Sequence, residues 1–281
     1  MPASDSNARV TAPMSTTTPT VIGSATVEGD LWSARAQDWA DIQELVQRPL
    51  FTAILQEVMQ GPHVDLLDVG CGSGLFAAMA AAAARVSGID AAGALLAVAK
   101  RRTPQADFRV GEMELLPFDS RSFDVVTGIN AFPYAANPVN ALREARRVAS
   151  PKARVIIATW GRPEDCETSA YFAVLRPPGA PPAAESAGPF ALSADGALAA
   201  LAKEAGLIPQ DVREVNCPFV YPNEETAVRG MLSAGSAVKA MQVSGEDCIR
   251  KAVTAALTPF KTSNGGYRIK NRFRYLVATA P

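Results

Sequence analysis

The sequence predicts an α/β fold, a parallel sheet covered by helices on both faces. Short apolar runs of strand length alternate with stretches of helical periodicity between residues 64 and 160. The run at 123–129 is almost wholly apolar, as a strand buried on both faces requires. The chain has 281 residues, 48% hydrophobic and 20% charged, so it can bury a large core and is not wholly disordered.

The elements follow in chain order. Residues 1–27 are rich in Ser, Thr, Ala and Pro, lack periodicity and read as a disordered tail. Leu31, Trp32, Trp39, Ile42, Leu45 and Val46 then recur at helical spacing, and Pro49 suits the first turn of a further helix. Gly61-Pro62 stops it, so residues 28–62 form a helical N-terminal unit. Strands are expected at 64–69, 86–90, 107–110, 123–129 and 153–160, with helices at 75–84, 91–102 and 138–148. Beyond Gly161 the alternation loosens. Residues 176–189 read as a loop, and Ser193 as the cap of a helix running to Ala205. A strand is expected within 207–220, two helices at 223–243 and 245–257, and a last strand at 267–278. In that strand Arg268, Lys270, Arg272 and Arg274 alternate with apolar residues, which predicts a solvated edge face.

Composition removes several function classes. The formal charge of −1 argues against a nucleic-acid binder held by phosphate contacts. One histidine cannot build a multi-histidine metal site. That residue, His63, precedes the first strand, at the edge of the sheet away from where such sheets bind ligands, so no Ser-His-Asp triad is expected. Cys71, Cys166, Cys217 and Cys248 show no paired spacing, and no leader precedes them, so reduced thiols and a cytoplasmic location are expected. No run is long and apolar enough to span a membrane.

The informative segment is Leu66-Leu67-Asp68-Val69-Gly70-Cys71-Gly72-Ser73-Gly74. An apolar strand enters a glycine-rich turn that opens onto a helix, so a ligand can approach the main chain closely. Asp90 ends the second strand and can accept from ribose hydroxyls. Glu112 and Met113 follow the third strand and offer an acceptor and an apolar wall for an adenine ring. Together these features predict a nucleoside site. Leu75 stands where the dinucleotide fingerprint asks for a small residue, and a buried carboxylate at Asp68 suits a cationic amine better than a pyrophosphate.

Residues from about 64 to 160 resemble the class I S-adenosylmethionine-dependent methyltransferases of the small-molecule type, akin to the ubiquinone and menaquinone methyltransferases. The resemblance rests on Leu67-Asp68-Val69-Gly70-Cys71-Gly72-Ser73-Gly74, Gly88-Ile89-Asp90, Gly111-Glu112-Met113-Glu114-Leu115-Leu116-Pro117-Phe118, Ser122-Phe123-Asp124-Val125-Val126 and the segment 141–148. It implies a Rossmann-like, seven-stranded, mostly parallel sheet with an antiparallel last strand. It also implies a helical lid at 28–62 and a methyltransferase domain at 63–281 with a helical insertion at about 223–258. The implied cofactor is S-adenosyl-L-methionine. Asp68, Gly70, Cys71, Gly72 and Gly74 would hold its amino-acid end, Asp90 the ribose, and Glu112 and Met113 the adenine. Asn130 would line the sulfonium region, with Trp32 in the lid above. Two departures stand out: Glu112 replaces the usual Asp, and Ser150-Pro151-Lys152-Ala153 replaces the usual Pro-Gly-Gly turn.

The implied activity is methyl transfer to an O, N or C atom of a small, largely apolar molecule, by a monomer or homodimer. Phe132, Tyr134 and Tyr171 are candidates for the acceptor pocket. No catalytic base is identifiable, and no nucleic-acid, membrane or metal partner is expected. The alternatives are a nicotinamide- or flavin-dependent oxidoreductase and a nucleoside-binding module without catalysis.

Overall fold

The computed structural model describes residues 23–60, 64–176 and 188–281. His63 and most of the segment read as a tail lie outside these residues. The chain enters through helix α1 (Ala25–Ser33), a single turn α2 (Ala36–Asp38), a π-helical turn Trp39–Gln43, a 3₁₀ turn and helix α3 (Arg48–Val58). The first helix thus begins inside the stretch expected to be irregular.

The sheet follows as β1 (Val64–Val69), α4 (Leu75–Ala80), β2 (Ala84–Asp90), α5 (Gly93–Arg102), β3 (Asp107–Val110), β4 (Phe123–Ile129), α6 (Pro138–Val148) and β5 (Ala149–Trp160). The second half contains α7 (Ser169–Val174), α8 (Ala197–Glu204), β6 (Ile208–Asn216), β7 (Phe219–Tyr221), α9 (Glu224–Leu232), α10 (Gly235–Ser244), α11 (Glu246–Leu257), β8 (Tyr267–Ile269) and β9 (Arg272–Thr279). Seven strands pair in the order β3-β2-β1-β4-β5-β9-β6, and β7 with β8 makes a small second sheet. Only β9 runs antiparallel to its neighbours in the large sheet. The order reverses at β1, between β2 and β4, which opens a crevice at the carboxyl ends of these strands.

Two apolar cores cover the faces of this sheet. One gathers Leu50, Ile54, Leu66, Phe76, Leu96 and Val125 under α3, α4 and α5. The other gathers Leu67, Val126, Leu142, Ala145 and Ile157 under α6 and α8. Glycines inside strands allow close packing. A Cβ on Gly88 would lie 2.8 Å from the Cys71 sulfur, and one on Gly128 would overlap the Phe132 ring at 2.1 Å.

Several boundaries differ from the sequence reading, each for a tertiary reason. The alanine-rich helix stops at Ala80 because Ala84 and Arg85 pair in register with Val64 and Asp65, and Arg85 binds the Asp65 carboxylate. Ser193 caps no helix: its hydroxyl donates to the Phe190 carbonyl, and α8 starts after the left-handed Gly196. The stretch 223–243 is broken at Ala234, because Gly235 packs against the Trp32 indole, where a Cβ would lie 2.7 Å from Nε1. The last strand is split at the buried Asn271, whose side-chain oxygen accepts from the Thr168 N–H and hydroxyl at 3.2 and 2.7 Å. Its second half is no edge, because β6 pairs outside it. Glu214 lies directly opposite Arg274 in that pairing, so Arg274 is buried, donating to Glu214, Asp195 and the Ser193 carbonyl.

Lys152, in the turn that departs from Pro-Gly-Gly, adopts φ 67° while its N–H donates to the Ala280 carbonyl. A left-handed conformation costs a residue with a Cβ roughly 1–2 kcal/mol. Lys152→Gly is therefore expected to raise the thermal midpoint by about 2 °C with the fold unchanged. A lowered midpoint would show that the lysine side chain contributes more than its backbone strain costs.

Candidate active site

The crevice is built around one turn. Gly70, Gly72 and Gly74 take φ values of 71°, 56° and 78°, all left-handed and all cheap only for glycine. A Cβ on Gly74 would lie 2.7 Å from the Ala99 Cβ, so this glycine sets the approach of α5 to the turn. Asp90, at the end of β2, holds the turn in place. Its Oδ2 accepts from the Gly72 N–H and its Oδ1 from the Ala92 N–H, each at 2.8 Å. Burial pushes its carboxyl up, against these two hydrogen bonds.

Asp68, two residues ahead of the turn, is buried, and its Oδ1 accepts from the Thr127 hydroxyl at 2.6 Å. Burial pushes its carboxyl up to about 7, and the nearby Asp90 and Glu44 charges add to the shift. Glu112 accepts from the Ala25 N–H at 2.8 Å and from the Glu114 N–H at 3.1 Å, so it ties the lid's first turn to the end of β3. Asn130 follows β4 with φ 55°; its Nδ2 donates to Gln47 at 3.1 Å.

The N-terminal helical segment packs over this edge. Its π-helical turn carries a Glu44 N–H bond to the Trp39 carbonyl, five residues back. Trp39, Gln43, Glu44 and Gln47 all reach the cleft from this region. Glu44 enters the N-terminus of α4, where it accepts from the Ser73 hydroxyl and the Leu75 N–H. Arg102, at the end of α5, pairs with the same carboxylate and donates to the carbonyls of Ala40 at 2.6 Å and Ser73 at 3.0 Å. Burial still pushes the Glu44 carboxyl up, with Ser73 and Arg102 opposing. Trp32 stacks edge-on against Trp39 and Tyr134, centroids 4.8 and 5.6 Å apart, and donates to Glu28 at 3.1 Å.

Eleven of the residues expected from sequence line one cleft: Trp32, Asp68, Gly70, Cys71, Gly72, Asp90, Glu112, Met113, Asn130, Tyr134 and Tyr171. Two do not. Gly74 faces α5, and Phe132 is wholly buried across Gly128. Cys71 is also buried, and burial with the surrounding acids pushes its thiol well up, which makes it packing rather than a nucleophile. Beyond the turn the cleft opens into an aromatic chamber of Trp160, Tyr171, Phe172 and Phe219, closed by Met231. Trp160 lies 5.4 Å from Phe172 and 5.8 Å from Phe219, ring to ring. Glu28, Glu44 and Trp160 also line the cleft, and Arg102 pairs with Glu44; none of the four is among the residues expected from sequence. Trp160 carried a signal, an aromatic at the carboxyl end of a central strand; the other three carried none.

Three buried polar atoms in the lining have no partner among the described residues: the Trp39 Nε1 donor, the Asn130 Oδ1 acceptor and the Ser236 hydroxyl. The first lies 3.6 Å from where a Cβ on Gly72 would sit, so it faces the glycine turn. Unpaired buried groups of this kind cost about 1–3 kcal/mol each, which a bound ligand recovers. Among the described residues no group of three His, Cys, Asp or Glu side chains could hold a metal ion, and no helix is long and apolar enough to cross a membrane.

Comparison with known proteins agrees with this geometry. Residues 67–157 match the family described as methyltransferase domain. A ubiquinone biosynthesis O-methyltransferase of Coxiella burnetii is 30% identical over 112 residues, 38% of this chain and 47% of that one. The match therefore spans less than half of that relative. Among solved structures, the [4+2]-cyclase SpnF is similar with a TM-score of 0.55 at 18% identity, covering 83% of this chain and 80% of that one. A Haemonchus contortus phosphoethanolamine N-methyltransferase, solved with S-adenosyl-L-methionine, gives a TM-score of 0.51 at 19% identity, covering 83% and 52%.

Glu44 carries the junction of lid, turn and α5. Removing one partner of a buried pair costs about 3–5 kcal/mol. Glu44→Leu is therefore expected to destabilise the protein by about 3 kcal/mol in urea unfolding. A change below about 1 kcal/mol would assign the lid's attachment to its apolar contacts instead.

Proposed function

We propose that this chain, which carries a methyltransferase domain at residues 67–157, transfers a methyl group from S-adenosyl-L-methionine to a small, largely apolar acceptor. When bound, that cofactor supplies a methyl carbon activated by a positively charged sulfur. The observation that carries the reading is the pair of orphaned polar atoms beside the acidic glycine turn. The Trp39 N–H fits the cofactor's carboxylate, while the Asn130 oxygen and Asp68 suit its ammonium. Asp90 has lone pairs left for ribose hydroxyls after holding the turn, and Met113 with Leu95 offers an apolar adenine slot. Trp32, Trp39 and Tyr134 exclude water above the reacting atoms. The chain's contribution to rate is thus orientation and a dry site.

The oxidoreductase alternative fits poorly. Glu44 fills the N-terminus of α4, where a dinucleotide pyrophosphate would need to sit, and Leu75 is buried in the core. Among the described residues the lining includes no basic side chain, which favours a small molecule over nucleic acid as partner. Similar folds serve different chemistries, the [4+2]-cyclase among them, so catalysis needs its own test. Incubation with methyl-labelled cofactor and a panel of apolar acceptors should yield S-adenosylhomocysteine and labelled product in equal amounts. Binding of S-adenosylhomocysteine with no turnover across the panel would favour the non-catalytic module.

The cofactor assignment also fixes a pH dependence. The carboxyl of Asp68, pushed up to about 7 by burial, must ionise to hold an ammonium. Binding therefore releases a proton below that value, and affinity for S-adenosylhomocysteine should fall about tenfold per unit as pH drops below 7. The apoprotein follows the opposite sign. Its raised carboxyl favours folding at low pH, and that contribution is lost as pH rises from about 4 through 7. Calorimetry from pH 5.5 to 8.5 reads the first effect, and Asp68→Asn should abolish it. A pH-independent affinity in the unaltered protein would remove Asp68 from the ammonium site.

A further inference from the structure

We propose that the acceptor is an amine with an apolar body, recognised by the acidic aromatic chamber and relieved of its proton by Glu28. The inference rests on the methyltransferase reading and narrows it. The described lining contains five carboxylates, Glu28, Glu44, Asp68, Asp90 and Glu112, and no Lys, Arg or His. Arg102 compensates Glu44 from behind. Asp90 and Glu112 each spend both oxygens on backbone N–H groups, and Asp68 lies at the ammonium end. Glu28 differs. One of its oxygens accepts from Trp32 Nε1, and the other has no hydrogen-bond partner among the described residues. Lys239 on α10 attracts its charge, but burial outweighs that attraction and raises the Glu28 carboxyl. Tyr134, which also faces Glu28, has its hydroxyl pushed up by burial and by that charge, so it does not compete for the proton.

This field selects the nucleophile. A phenol or enol acceptor must become an anion before it attacks, and the described lining sets carboxylates and no Lys, Arg or His side chain around it. An amine requires no anion. It enters as the ammonium, drawn by the acids and by the faces of Trp160, Phe172 and Phe219. Its proton passes to the free oxygen of Glu28. The neutral nitrogen's lone pair then forms the N–C bond to the methyl carbon, while the C–S bond breaks and its electron pair stays on sulfur. The positive charge moves from sulfur to nitrogen, so the charge in the cleft is conserved through the step. A carboxylate or phosphate acceptor is repelled at every stage.

The test uses three probes of one shape: phenethylamine, phenethyl alcohol and phenylacetate. Each is titrated into the full-length protein, alone and with S-adenosylhomocysteine, following tryptophan fluorescence. The amine is expected to bind at least about tenfold more tightly than the alcohol, and phenylacetate not measurably. Glu28→Gln keeps the bond to Trp32 and should bring the amine and alcohol affinities to within about threefold. Alcohol or carboxylate binding as tight as the amine would overturn the proposal, as would an amine preference untouched by Glu28→Gln. Failure of S-adenosylhomocysteine to bind in the same samples would instead overturn the cofactor assignment, because the probe ratio is read without it.

Discussion

The site depends on one carboxylate holding two backbone N–H groups. Asp90 stands at the end of β2 and reaches Gly72 in the turn after β1 and Ala92 before α5. Three left-handed glycines give that turn its shape, but they contribute no side chains of their own and lose more conformational freedom on folding than other residues. The charge-assisted bond to Gly72 supplies the missing constraint. The parallel register that sets Asp68 beside Gly88 and Thr127 then aligns the second acid with the first. Asp68, Asp90, Glu112 and Asn130 sit within, at or just past strand ends, and side chains carried by strands are held more precisely than those on loops.

Concentrating acids in a low-dielectric crevice is costly, and burial pushes the carboxyls of Glu28, Glu44, Asp68 and Asp90 up. The cost marks the cleft as a receiver of positive charge. Glu44 shows how the chain resolves part of it internally, through Arg102, the Ser73 hydroxyl and the Leu75 N–H at the start of α4. That solution removes the helix terminus as an anion site and attaches the lid to the sheet domain at the same point. Stability and ligand selection are therefore linked through one lid residue.

The central strands and the glycine turn were legible because short-range rules dominate there. The bounds of β1 and β4 follow from apolar runs between turn residues, Asn130 falls just past the end of β4, and Asp90 closes β2 where the sequence puts it. Legibility failed where distant pairing decides. Ala84 joins a strand despite its helix propensity because Val64 lies beside it, and Arg274 is buried because β6 brings Glu214 across from it. The lid was read as amphipathic helix, but its π-turn shifts the register so that Glu44 faces the cleft. Nothing in the local sequence distinguishes that acid from a solvated one. Phe132 illustrates the reverse error: an aromatic just past a strand end reads as pocket wall until Gly128 gives it a place in the core.

The most direct measurement is a crystal structure of the complex with S-adenosylhomocysteine. The account predicts the ribose hydroxyls within hydrogen-bond distance of Asp90. It places the amino-acid end between Trp39 Nε1, Asn130 and Asp68, with the sulfur facing the chamber of Trp160 and Phe172. A nucleoside bound outside this cleft, or inside it with Asp90 and Trp39 making no contact, would contradict the account at its base.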